Sequence, residues 1–170
     1  MLKKIPFALA ILSMAGGVGI AILFGVNEEM FLDRIKVGLS KNAKVQQIVN
    51  AEEKSAKIKS ETDKNWRYYQ RYHFHATGIG AMMMAMLLFL AQLNLSPKAF
   101  YPPAYLLSVG GLLYPFVWLF AGMYGPEMGR SEAKEAFAIF GYAGGLFLVG
   151  SIWTFVLSLR SAPSRLFNAS

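Results

Sequence analysis

The sequence predicts an all-α integral membrane protein: four transmembrane helices, with an amphipathic, helical extramembrane arm between the first and the second. Three observations predict it. Four apolar runs each reach the roughly 20 residues that a spanning helix needs. Each run is bounded by charge or proline. The one long polar stretch, residues 27–71, lacks the apolar content for a core of its own, and it contains neither proline nor cysteine.

The first run is Ile5 to Val26, interrupted only by Ser13, with Lys3 and Lys4 before it and Asn27-Glu28-Glu29 after it. A basic n-region and an apolar core resemble a signal peptide. The run is too long for one and has no clean small-residue cleavage site, so residues 1–26 read as a retained signal-anchor helix. The arm, 27–71, carries ten Lys/Arg and seven Asp/Glu. Within it Phe31, Ile35 and Leu39 recur at i, i+4, i+8 on one helical face, the pattern of a helix lying along a membrane surface. Gly38 and Ser40-Lys41-Asn42 predict a break. Ser60-Glu61-Thr62-Asp63 fits a capping box and predicts a fresh helix start. The competing expectation is one helix from about Asn42 to Leu93, standing well clear of the bilayer.

The remaining runs form a three-helix region over 72–159: Ala76 to Leu93 with a start as early as Tyr72, then Ala104 to Tyr124, then Ala136 to Leu159. Pro97, Lys98, Pro102 and Pro103 separate the first two of these, and Pro126 to Glu135 the last two. Pro115 predicts a kink in the third span. Arg160 and Pro163 end the fourth, leaving 160–170 as a polar tail.

Several function classes are excluded. With no cysteine among 170 residues there are no disulfides, zinc thiolate sites, iron–sulfur ligands or CxxCH haem attachment. A net charge of +7 belongs to the flanks of the apolar runs, where anionic headgroups lie, and no recognition motif points to nucleic acid. No Asp, Glu, Lys or Arg interrupts the middle of a run, which argues against an ion-coupled carrier or proton pump built from this chain alone. No Walker loop, HExxH or Ser/His/Asp set is present, so no hydrolase or ATPase activity of its own is expected.

Orientation follows from two opposed signals. The flanks of the first run favour a cytoplasmic N-terminus. A count over the whole chain places Lys3, Lys4, Lys98, Arg160 and Arg165 on that side against ten arm residues, Arg130 and Lys134 on the other, which favours the reverse. The first helix usually sets topology, so the expectation is a bacterial inner membrane with the N-terminus inside.

Candidate chemistry centres on the only two histidines, His73 and His75, placed by the sequence at the mouth of the second span. Imidazole there suits haem iron or copper. Residues two apart on an α-helix point about 200° apart, so both reach one ion only if the helix starts at this point. Glu127 and Glu132 emerge on the same side and complete a possible His/His/carboxylate metal set. A haem held within this chain lacks a second histidine from a facing span, so a bis-His haem would need a partner or a homo-oligomer. Tyr68, Tyr72 and Arg71 could form a site for a headgroup or a quinone ring. The competing reading makes these histidines interfacial hydrogen-bonding residues and makes Trp66, Tyr68, Tyr69, Tyr72, Tyr101, Tyr105, Trp118 and Trp153 an aromatic belt. Met82, Met83, Met84 and Met86 circle their helix and read as adaptable packing. The many glycines in the runs, Gly141-Tyr-Ala-Gly144-Gly145 among them, read as positions of close helix approach.

Apolar spans, glycine-rich faces and a charged arm together predict a small non-catalytic subunit of a multi-subunit membrane complex, in a respiratory or redox setting, with bound lipid and other membrane subunits as partners. The alternative is an electron-transfer subunit carrying haem or copper on His73 and His75. A third option is an oligomeric channel or carrier.

Overall fold

The computed structural model describes residues Lys4–Ser161, so Lys3, Pro163 and Arg165 lie outside the described residues. Among the described residues seven helices follow in order: α1 (Lys4–Lys41), α2 (Ala43–Gln46), α3 (Ala51–Gln92), α4 (Pro97–Leu113), α5 (Phe116–Met128), α6 (Arg130–Ala136) and α7 (Ala138–Arg160). There is no strand among the described residues. Among the described residues four stretches are long and apolar enough to cross a membrane: α1, α3, α4 with α5, and α7.

The polar signals mark the breaks. α1 is two helices joined at Asn27, whose backbone leaves the helical region (φ −156°, ψ 78°). The Asn27 Oδ1 accepts from the Met30 N–H at 3.0 Å, restarting the helix as an N-cap does. Asn42 ends α1 and caps α2, accepting from the Lys44 and Val45 N–H groups at 3.0 and 3.4 Å. Asn50 caps α3 in the same way, through Glu52 and Glu53 at 2.9 and 3.1 Å.

The expected start at Ser60-Glu61-Thr62-Asp63 does not occur. These residues lie inside α3, and the Thr62 hydroxyl turns back to the Ile58 carbonyl at 2.8 Å, as a threonine within a helix can. α3 is therefore a single helix of 42 residues, about 63 Å long, and it begins at Ala51 instead of near Asn42. Pro97 opens α4, and Pro102 and Pro103 sit inside it instead of between helices; the two ladder bonds they forgo fall within its first two turns. Pro115 divides α4 from α5 as its missing N–H predicts.

Packing is set by small residues. Along α1 the buried positions Pro6, Ala10, Ser13, Gly17 and Ile20 recur at alternating steps of four and three. Along α3 Ala76, Gly80, Met83, Leu87 and Leu90 do the same. Two such seams interlock as facing knobs and holes. A Cβ on Gly17 would stand 2.7 Å from the Thr77 backbone nitrogen, and one on Gly80 would stand 2.9 Å from that of Met14. The Ser13 hydroxyl crosses the seam to the Ala76 carbonyl at 2.9 Å. α4 and α7 pair likewise: a Cβ on Gly110 would meet the Ala143 carbonyl at 2.7 Å, and one on Gly150 the Leu107 nitrogen at 2.8 Å. Small residues at such crossings let helix backbones approach closely.

The arm is not left on a membrane surface. Phe31, Ile35 and Leu39 do form one face, but they are buried in a cluster with Tyr69, Tyr72 and Ile20, against Trp66, Leu119 and Met123. The upper part of α3 and α5 cover the face that the periodicity exposes. Tyr68, Tyr69 and Tyr72 are 4%, 2% and 8% exposed, so these three are core residues instead of belt residues. A second cluster, of Ala10, Met83, Leu87, Leu90, Phe100, Ala104 and Leu107, fills the opposite end.

If the seam is the source of this arrangement, Gly17→Ala destabilises the chain by about 1–3 kcal/mol, because backbone lies where the methyl must go. Gly19→Ala, inside the same helix with nothing within 4 Å, instead stabilises by about 0.5–1 kcal/mol. Reversible unfolding in mixed detergent micelles reads the difference.

Candidate functional site

The histidines precede the apolar run of their own helix, Ala76 to Leu93, and the α1–α3 register sets them beside the middle of two other runs. His73 lies beside Gly17, close to the midpoint of run 5–26, and His75 beside Tyr114, the midpoint of run 104–124. The turn that carries both is therefore level with the centre of the neighbouring apolar runs.

Each histidine is held by its δ nitrogen. His73 Nδ1–H donates to the Gly17 carbonyl at 2.8 Å, and His75 Nδ1–H donates to the Arg71 carbonyl at 2.9 Å. A carbonyl only accepts, so Nδ1 carries a proton in both rings, and in the neutral ring the lone pair is then on Nε2, which makes no hydrogen bond. This is the tautomer and second contact that metal-ligating histidines use.

The two rings diverge, as the helical spacing requires. His73 packs beside Phe24 and Phe74, with centroids 6.5 and 5.0 Å away, and His75 beside Tyr114 and Trp118, at 5.3 and 5.8 Å. Around His75 lies a cationic stack. The Arg71 guanidinium stands 4.9 Å from the Trp118 ring and 5.7 Å from the Tyr68 ring, and Tyr68 and Trp118 stack at 5.8 Å. Tyr72 turns the other way, toward α1 and Phe116. The proposed trio of Tyr68, Arg71 and Tyr72 thus divides between two faces.

Glu127 and Glu132 do not join the histidines. Glu127 is nine residues beyond Trp118, or about 14 Å along the helix, and Glu132 binds the Lys44 ammonium at 2.7 Å. Among the described residues no cluster of three or more His, Cys, Asp or Glu could hold a metal ion.

A second polar centre, which the sequence does not announce, locks the arm to the α5–α6 corner. Glu61 bonds Arg130 Nε at 3.1 Å, Lys64 at 3.0 Å and Lys57 at 3.6 Å. Asn42 Nδ2 donates to the Pro126 and Glu127 carbonyls at 3.2 and 2.9 Å, while its Oδ1 caps α2. Gly38 lies close to Pro126. Gly129 turns the corner at φ +104°, a conformation that favours glycine. Fully buried Asn65 gives its Nδ2 to the Glu61 carbonyl at 2.8 Å. A cavity of about 180 Å³ opens between these groups. The capping preference of asparagine is a local signal for Asn42. Nothing in the sequence links Glu61 to Arg130, 69 positions away.

Partial burial pushes the Glu61 carboxyl up, but the Lys64 hydrogen bond and the charges of Arg130, Lys64 and Lys57 outweigh it and hold it below its ordinary 4.5. A carboxylate depressed in the folded state stabilises fully above its unfolded value, and that contribution disappears as pH falls through the folded value. The thermal midpoint should therefore drop on acidification below about pH 4.5, and Glu61→Gln should flatten that drop; circular dichroism of the detergent-solubilised chain checks both.

No family model, no curated protein and no solved structure matches this chain.

Proposed function

We propose that this chain is a small integral membrane subunit of a multi-subunit complex, built to pack against other spanning helices. The observation that carries the reading is the set of unused glycines. Gly19 and Gly25 on α1, Gly78 on α3 and Gly145 on α7 meet nothing within 4 Å, while most of the other glycines press against a neighbour within the chain. Glycine inside a helix costs about 0.5–1 kcal/mol relative to alanine, and in spanning helices its use is close approach. α7 supports the reading. It buries only Ala143, Gly150 and Thr154 and turns Ile139, Tyr142, Phe155 and Leu159 outward at 62–75% exposure.

The setting we favour is a bacterial inner membrane with the N-terminus inside, in a complex that handles electrons. The two histidines support the redox setting, since each offers a free Nε2 at the level of the apolar centre. They also favour a second reading, in which His73 or His75 supplies one axial ligand to haem, or one ligand to copper, and another subunit or a second copy supplies the rest. Bound lipid would fill the remaining outward faces.

The subunit reading predicts that the chain leaves native membranes in mild detergent with stoichiometric partners, and that Gly78→Leu weakens this association without lowering the stability of the chain itself. Blue-native electrophoresis and pull-down read the first and unfolding reads the second; a stable, partner-free monomer from native membranes contradicts the proposal. For the second reading, His75→Ala or His73→Ala should remove an absorbance band or a bound metal, and unchanged content in both variants ends it.

A further inference from the structure

Tyr72 is 8% exposed, yet its hydroxyl makes no hydrogen bond. It reaches across to α1, where a Cβ on Gly16 would lie 3.0 Å from the oxygen. The oxygen is open to the cavity beside it, so a ligand that accepts its proton displaces no partner within the chain. The hydroxyl borders a cavity of about 180 Å³ lined by Leu12, Ser13, Gly16, Ala76, Leu112 and Phe116. The walls are apolar except for Ser13, whose proton is committed to the Ala76 carbonyl and whose oxygen keeps only lone pairs. One side is flat, because Gly16 and Ala76 carry little or no side chain. The Phe116 ring lies 5.8 Å from that of Tyr72. The space suits one substituted ring.

We propose that this cavity binds the ring of a membrane-soluble quinone, with the Tyr72 hydroxyl donating to one ring carbonyl. The inference rests on reading the four apolar runs as spans, and depth then selects the ligand. Gly16 is at the midpoint of run 5–26, whereas the ester carbonyls of bilayer lipids lie at the edge of the hydrocarbon, about 15 Å away. A carbonyl at this depth belongs to a molecule that dissolves in the hydrocarbon itself. The Ser13 oxygen, an acceptor only, suits the hydroxyl of the reduced ring.

The test uses the full chain in lipid nanodiscs with decylubiquinone as the probe, read by quenching of tryptophan fluorescence and by thermal midpoint. The expected result is saturable quenching and a raised midpoint in the native chain, a Kd about tenfold weaker in Tyr72→Phe, and no change in Tyr105→Phe. Without ligand, Tyr72→Phe should be as stable as the native chain, because the hydroxyl it removes bonds nothing. Equal Kd values for Tyr72→Phe and the native chain would overturn the proposal, as would quenching that never saturates. Organic extracts of the purified chain distinguish the source: co-purified quinone supports it, and phospholipid alone that decylubiquinone does not displace refutes it.

Discussion

The close approach of α1 to α3 is the constraint on which the rest depends. Gly17 and Gly80 leave room for backbone against backbone, and Ser13 joins the two helices by a buried hydrogen bond. Dispersion between closely packed atoms is small per contact and large in sum. The seam fixes the register between the two longest helices. That register delivers the Gly17 carbonyl to His73 and the Tyr72 hydroxyl to Gly16. A shift of one turn, about 5.4 Å, would remove both.

The four long apolar helical stretches were legible in the sequence because length and apolarity are local properties. So were the breaks at Asn27, Asn42 and Pro115, each of which acts on its own backbone. The face of Phe31, Ile35 and Leu39 was legible as a face, but its partner was not: periodicity reveals that a stripe will be buried and leaves open whether lipid or protein covers it. The segment Trp66 to Tyr72 misled for a related reason. Aromatics interleaved with arginines have the composition of a membrane interface, yet three of the tyrosines enter the bundle because Gly122 and Gly125 on α5 leave space for Tyr69, Tyr68 and Asn65. Composition reports a residue's taste for an environment, whereas glycines on a distant helix decided where these residues went.

The capping box at Ser60-Glu61-Thr62-Asp63 failed because a capping box needs a preceding segment free to leave the helix. Here Ala51 to Lys59 is a strong helix former already capped by Asn50, so the same Thr62 bonds backward. Glu61 then becomes free to collect Lys57, Lys64 and Arg130. Together with Asn42 it ties the arm to the α5–α6 corner. The arm thus draws its order from the bundle, and the His73–His75 turn lies between two anchored regions, the polar corner and the seam.

The central claim is that this turn stands at mid-depth among the apolar runs. Phe74, between the two histidines, is 66% exposed and faces away from the bundle. The chain has no cysteine, so Phe74→Cys accepts a single nitroxide label. In lipid bilayers, collision rates with oxygen and with a water-soluble nickel chelate report depth. The account predicts high oxygen and negligible nickel access at residue 74, matching a label at Val18 on α1 and unlike one at Val49, 98% exposed in the α2–α3 link. Nickel access at residue 74 equal to that at Val49 would return the histidines to the membrane surface and contradict the account.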